Sequence, residues 1–302
     1  VTTGSLRRRF FAAGALVLSG ALTLSACGEK KEDDPGAGPK ITASGGPDAA
    51  LAAKVPAEIK SDGVWKIGTD ATYAPNEFLD TDGKTIVGWE RELYDAVAGK
   101  LGLKTEWVAS GFDDIIPGVM SGKYEGGISS FTVNDERKKQ VTMVSYFNAG
   151  TQWAAKKGNP GRIDPANACG KKIAVQKGTV QVEDLEKRSA ACKKDGKPEI
   201  TIDQYQGQDE ATAAVVSGKD DAGLADSPII AYAVKKTNDQ LELLGDIYEA
   251  APYGAVVKKD QTAFAEAISG AVKALQADGT YKKILEKWNV QAGALTDSAV
   301  NP

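Results

Sequence analysis

The chain has 302 residues, 42% of them hydrophobic and 26% charged, the composition of an ordinary folded protein with enough length for two modest lobes. It contains no histidine, which excludes serine–histidine and cysteine–histidine nucleophile systems and most zinc centres. A net charge of -4 and a pI near 5.2 offer no basic face for nucleic acid and point instead to a small-molecule partner.

Residues 1–26 read as an export signal. Arg7, Arg8 and Arg9 precede an apolar stretch from Phe10 to Ala26 that Gly14, Ser19, Gly20, Thr23 and Ser25 interrupt, so it is too short and broken for a membrane span. Leu24-Ser25-Ala26-Cys27 resembles the bacterial lipobox, which implies cleavage before Cys27 and a lipid anchor on its thiol. Arg7-Arg8-Arg9-Phe10-Phe11 is also similar to a twin-arginine signal, with Leu6 where that motif takes Ser or Thr, and both export routes stay open. Residues 27–56, rich in Gly, Pro, Ala, Lys and Asp without a hydrophobic period, read as a flexible tether. The two remaining cysteines, Cys169 and Cys192, then lie in an oxidising compartment and are expected to form a disulfide; a metal pair lacks both CxxC spacing and a histidine.

From Gly63 the chain alternates strands and helices. Residues 64–68 read as a strand, 90–101 as a helix stacking Leu93, Val97 and Leu101, 103–108 as a strand, 112–121 as a helix, and Gly127-Ile128-Ser129-Ser130 as the end of a short strand. The rhythm restarts with a strand at 172–175, a helix around Val182 and Leu185, a strand at 199–203 and a helix at 208–216. Phe264, Ile268, Ala271 and Leu275 make one helical stripe, and Tyr281, Ile284, Leu285 and Trp288 a second. Asp80-Thr81-Asp82-Gly83 hints at a calcium loop, but a twelve-residue loop would end at Arg91, so a hairpin turn is expected.

One unit occurs twice. Ser121-Gly122-Lys123 closes a helix and leads through a short strand to Ser129 and Ser130; Ser217-Gly218-Lys219 closes another and leads in the same way to Asp226. Each of Ser130 and Asp226 should therefore sit at the C-terminal end of a strand in its own lobe, where open α/β sheets collect ligands. If the lobes face one another, a hydroxyl and a carboxylate meet in one cleft.

The stretches Gly68-Thr69-Asp70-Ala71-Thr72-Tyr73, Gly88-Trp89-Glu90-Arg91-Glu92-Leu93, Phe112-Asp113-Asp114-Ile115-Ile116-Pro117, Ser129-Ser130-Phe131-Thr132 with Asp135-Glu136-Arg137, and Gln176-Lys177-Gly178-Thr179, Ala225-Asp226 and Asp278-Gly279-Thr280-Tyr281 resemble the polar amino-acid family of bacterial extracellular solute-binding proteins, the capture components of ABC importers. The resemblance covers about Pro56 to Val290. It implies an α/β, two-lobed periplasmic-binding-protein-like fold with two crossover hinge strands and the ligand in the interlobe cleft. Lobe one would comprise 57–150 and 251–290, lobe two 151–250, with 291–302 a C-terminal tail. It further implies a monomer that binds a free L-amino acid and partners an ABC permease, held at the outer face of the cell membrane by the lipid, with no metal, no cofactor and no enzymatic activity.

A zwitterion taken from water needs a partner for each charge. Arg137 offers a planar, permanently charged fork for the carboxylate, and the resemblance places Thr179 beside it; Val180 stands where a second hydroxyl is frequent, leaving that contact to the main chain. Asp226, Ser130 and Thr132 suit the ammonium, although Asp226 before Ser227-Pro228 is also a good helix N-cap. Tyr73 and Phe112 would enclose the side chain. Asp70, Glu77 and Glu90 border the side-chain pocket in the resemblance, Asp70 and Glu90 in closer alignment, and favour a basic amino acid over a neutral one. Two other functions stay open: a dehydratase-like enzyme using Glu77 or Glu90 as general acid, and a lipoprotein that reports ligand to a membrane sensor. Penicillin-recognising SxxK, GxSxG and P-loop motifs are absent from the sequence.

Overall fold

The computed structural model describes residues 39–302, so the expected signal and Cys27 lie outside the described residues. The described chain begins on the surface of the first lobe, with α1 (Ala49–Ala52) and α2 (Ala57–Asp62). There follow β1 (Val64–Thr69), a small hairpin sheet of β2 (Thr72–Tyr73), β3 (Glu77–Leu79) and β4 (Ile86–Val87), then α3 (Trp89–Lys100), β5 (Lys104–Ala109), α4 (Phe112–Ser121), β6 (Gly126–Gly127) and α5 (Asp135–Gln140). The chain crosses over on β7 (Val141–Lys156) into β8 (Lys172–Gln176), α6 (Val180–Lys194), β9 (Thr201–Tyr205), α7 (Gln208–Ser217), β10 (Ala222–Asp226) and α8 (Ser227–Lys236). It returns on β11 (Leu241–Lys258) to α9 (Thr262–Ala277) and α10 (Thr280–Lys287).

Eight strands form one sheet in the order β5-β1-β6-β11-β7-β10-β8-β9. The outer triplets are parallel within themselves, the mark of βαβ crossovers, while the long β7 and β11 pair antiparallel through the middle. Because these two strands belong to both halves, the sheet is two lobes joined by a pair of strands. Their pairing slips between Leu244 and Tyr248 and again between Tyr248 and Ala251, where the halves meet. Gly150 lies at that point; a Cβ there would come within 2.7 Å of the Tyr248 carbonyl oxygen.

Each lobe has its own core. In the first, Trp65 packs edge-on against Phe264 at 5.3 Å and Tyr94 at 6.0 Å, bringing α9 and α3 onto β1. The two helical stripes of the C-terminal region are buried here, as periodicity requires. In the second, Trp153, Ile173, Val175, Leu185 and Leu224 surround Cys192, which is bridged to Cys169 with a Cα separation of 5.6 Å. Arg188 Nε donates to the Asp184 carboxylate at 2.8 Å, and Tyr248 donates to the same carboxylate at 2.7 Å, tying α6 to the crossover strand β11.

Two boundaries differ from expectation. Residues 39–56 do not stand free as a tether: Ile41, Ala43 and Leu51 pack on the first core, Val55 is buried, Asp48 caps α1, and Lys40 pairs with Asp95 at 2.8 Å. Isolated apolar residues without a period suffice when a preformed core receives them. Residues 291–302 are likewise no loose tail. Ala294 and Val300 bridge to Phe147 and Val144 of β7, and the buried Ser298 donates to the Ser145 carbonyl at 2.6 Å.

Candidate functional site

The repeated helix–strand unit builds two facing corners. Gly122 (φ 83°) and Gly218 (φ 81°) end α4 and α7 in the left-handed conformation, and the chain after each runs through β6 or β10 toward the interlobe cleft. Ser130 and Asp226 both line that cleft, together with Tyr73, Phe112, Thr132, Arg137, Thr179, Val180 and Gln181. Asp226 occupies the N-cap position of α8, yet its carboxylate makes no cap hydrogen bond. It accepts instead from Tyr73 at 3.0 Å, Tyr253 at 2.8 Å and Gln181 at 2.7 Å. Burial raises its pKa, and the three donors and Arg137 oppose that rise.

Arg137 is placed by its local sequence. Asn134 caps α5 by accepting from the Arg137 N–H at 2.8 Å, which turns the side chain under the cleft rather than along a solvated face. The guanidinium donates to the Thr132 carbonyl at 2.9 Å and, across the lobes, to the Gly178 carbonyl at 3.3 Å, and it lies over the rings of Phe112 and Phe131 at 5.5 and 5.4 Å. Burial lowers its pKa to about 10, with Asp226 and Glu183 opposing the fall, so it stays cationic at neutral pH. Gly178 adopts φ 78°, and a Cβ there would meet the Asp113 side chain at 2.9 Å, so this close approach of the lobes requires glycine.

Opposite Arg137 the fifteen-residue α6 begins at Val180. The Thr179 hydroxyl is turned back to donate to the Gln176 carbonyl at 2.8 Å, leaving the helix's first main-chain N–H groups as the lobe-two donors at this wall. A guanidinium and a helix N-terminus together can hold a carboxylate; a buried carboxylate with serine and threonine oxygens can hold an ammonium.

Asp70 and Glu90 do not line the space between the walls. Asp70 is buried at the cleft edge and its carboxylate is taken up: one oxygen accepts from the Thr72 N–H and hydroxyl at 3.0 and 2.6 Å, the other from the Phe112 N–H at 3.0 Å and from Gln176 of the second lobe at 2.9 Å. Burial raises its pKa, and the bonds from Thr72 and Phe112 oppose that rise. Glu90 lies wholly behind the wall, accepting from the Ser130 hydroxyl at 2.7 Å and the Ser130 N–H at 3.1 Å. A carboxylate on the first turn of a buried helix reaches the backbone behind the wall, not the cleft. Gln181 is the wall residue that sequence reasoning missed; its place two residues after Thr179, in the first turn of α6, was the available signal.

The lobes stand closed on one another. Besides Asp70–Gln176, Tyr73–Asp226 and Arg137–Gly178, the Gln208 N–H donates to the Thr72 hydroxyl at 3.0 Å and Lys177 pairs with Asp113 at 2.7 Å. The space left between the walls is about 10 Å3, no more than one water. Among the described residues no group of His, Cys, Asp and Glu could hold a metal ion, and no helix is long and apolar enough to cross a membrane.

Closed lobes on two shared strands, with a cation and an anion facing one cleft, define a two-lobed solute-binding fold. The model of bacterial extracellular solute-binding proteins, family 3, matches residues 65–291, and the chain belongs to that family. It is 35% identical over 298 residues to the arginine-binding protein ArgT of Corynebacterium glutamicum, spanning 97% of this chain and 96% of that protein. Among solved structures, it is similar to an ancestral arginine-binding protein bound to arginine, at 35% identity and a TM-score of 0.69 over 75% of this chain and 98% of that one. An ancestral amino acid-binding protein described as a precursor of cyclohexadienyl dehydratase is similar at 34% identity and a TM-score of 0.66, over 76% of this chain and 97% of that one.

Proposed function

We propose that this chain is the lipid-anchored, extracytoplasmic binding component of an ABC importer, a monomer that closes on a free basic L-amino acid and performs no catalysis. The observation that carries the reading is the pairing of Arg137 with the α6 N-terminus on one side of the cleft and Asp226 with Ser130 and Thr132 on the other, the complement of a zwitterion. Tyr73 and Phe112 flank the space between. A ligand enters only after the lobes part, and parting breaks the Asp70–Gln176 bond and frees an acceptor of that carboxylate at the cleft edge, which favours a cationic side chain. The resemblance to ArgT and to an arginine-bound ancestral protein agrees with that preference.

A thermal-shift screen against the twenty amino acids tests the proposal. A true ligand at 100 times its Kd stabilises the fold by about 2.7 kcal/mol, and arginine, lysine or ornithine should give the largest rise. No rise with any amino acid, together with turnover of a small carboxylic acid, would replace this reading with the dehydratase-like one. Fatty-acid labelling that persists in Cys27→Ala would refute the anchor.

A further inference from the structure

Behind the Ser130 corner lies a second carboxyl group that the binding reading does not use. Glu77 is fully buried, and its carboxyl faces that of Glu90. One Glu77 oxygen accepts from the Ser129 hydroxyl at 3.0 Å; the other, Oε2, is buried without a conventional donor. The titratable groups around the pair are Asp70, Tyr73, Tyr94, Tyr146 and Tyr253, none of them a cation. Two adjoining carboxylates without a cation cannot both be ionised in such a place.

The proton positions around Ser130 can be traced from a group that only donates. Trp89 Nε1 donates to the Asn76 side-chain oxygen at 2.6 Å, so the Asn76 amide nitrogen is the atom that donates to Ser130 Oγ at 2.8 Å. The Ser130 hydroxyl hydrogen therefore goes to Glu90 Oε1 at 2.7 Å, where Tyr146 also donates at 2.8 Å; with the Ser130 N–H on Oε2, both Glu90 oxygens accept, the arrangement that suits a carboxylate. Ser130 holds φ 53°, a left-handed backbone that its N–H bond to Glu90 at 3.1 Å helps to secure.

We propose that Glu77 and Glu90 share one proton, held by Glu77 and donated to Glu90, and that the ionised Glu90 acts as a positioning residue which fixes Ser130 Oγ as a pure acceptor toward the cleft. One lone pair of that oxygen then remains for a ligand donor, so this corner takes an ammonium and rejects a carboxylate or an ether. Burial and the neighbouring Glu90 push Glu77 well above the usual carboxylate range, in keeping with this assignment. The inference rests on the amino-acid reading for its consequence, not for the proton itself.

Two measurements test it. Infrared difference spectra of the unliganded protein at neutral pH should show the C=O stretch of a protonated carboxylic acid that Glu77→Gln removes. Calorimetry with L-arginine as probe should show Glu90→Gln binding about tenfold or more weaker, because the hydroxyl loses its charged acceptor, and Glu77→Gln losing less, because its amide still donates to Glu90. In a Ser130→Ala background Glu90→Gln should add almost nothing. The proposal is overturned by an absent band, by equal losses in the two glutamine variants, or by a Glu90→Gln loss that persists in full without the Ser130 hydroxyl. Should Glu90→Gln fail to fold, the band decides the shared proton alone. If arginine and every other amino acid leave the unsubstituted protein unbound, the function proposed above falls while the band still decides the pair.

Discussion

The Tyr73 hydroxyl of the first lobe and Asp226 of the second form a reciprocal pair: Tyr73 donates to the carboxylate at 3.0 Å and accepts from the Asp226 N–H at 3.3 Å. An incoming ammonium competes with that hydroxyl for the carboxylate. Tyr73→Phe keeps the ring and removes the latch, which should weaken the unliganded closed form by about 1–3 kcal/mol. The unliganded variant should show a larger radius of gyration by small-angle scattering, with arginine affinity held or raised. An unchanged radius of gyration would mean that the latch does not hold the lobes.

Stability should decline as pH rises from about 4, the unfolded carboxylate pKa, toward neutrality. With no histidine in the chain, the groups that set this slope are buried carboxyls whose folded pKa is raised, among them Asp70, Glu77, Glu90, Asp220 and Asp226, each mainly by burial. A raised group stabilises fully below the unfolded carboxylate pKa of about 4 and loses that contribution as pH climbs through its folded value. Depressed carboxyls, Asp82, Asp95, Asp113 and Asp278, act below that unfolded value. Thermal unfolding across the range should slope downward in the unliganded protein and less steeply in Glu77→Gln. A flat or rising profile would contradict the assignment.

Reduction of Cys169–Cys192, which closes a loop with a sequence separation of 23, should cost about 3 kcal/mol on the loop-entropy account and lower the melting temperature. The bond ties α6, whose first turn faces the cleft, into the second core. An unchanged melting temperature on reduction would show that the core holds the helix unaided.

Much of this was legible in the sequence for physical reasons. The SGK units were readable because a glycine after a helix marks a left-handed cap, and strand ends in α/β sheets converge on ligand clefts; Ser130 and Asp226 follow from those two rules. Helix 112–121 needed no adjustment at the C-terminal end, since Gly122 fixes it. The strand expected at 199–203 lies at 201–205, because the Ile200 N–H is claimed by the Ser189 hydroxyl before the ladder starts. Neither the packing of residues 39–56 nor the bonds that take up Asp70 and Glu90 could be read, for those depend on which neighbours tertiary structure supplies.

Asp70 separates a general amino-acid site from one tuned to a cation. Asp70→Asn should weaken arginine binding by about tenfold more than glutamine binding, since only the former loses a charge-assisted bond. Equal losses for both ligands would confine Asp70 to holding the lobes together.

Isothermal titration calorimetry of L-arginine into the unsubstituted protein, Arg137→Ala and Asp226→Ala tests the central claim most directly. Removing either charge leaves its ligand partner desolvated and unpaired, so each variant should lose about 2–5 kcal/mol of binding free energy while keeping a cooperative unfolding transition. Arginine affinity unchanged in both variants, or no binding of any amino acid by the unsubstituted protein, would contradict a zwitterion site between Arg137 and Asp226.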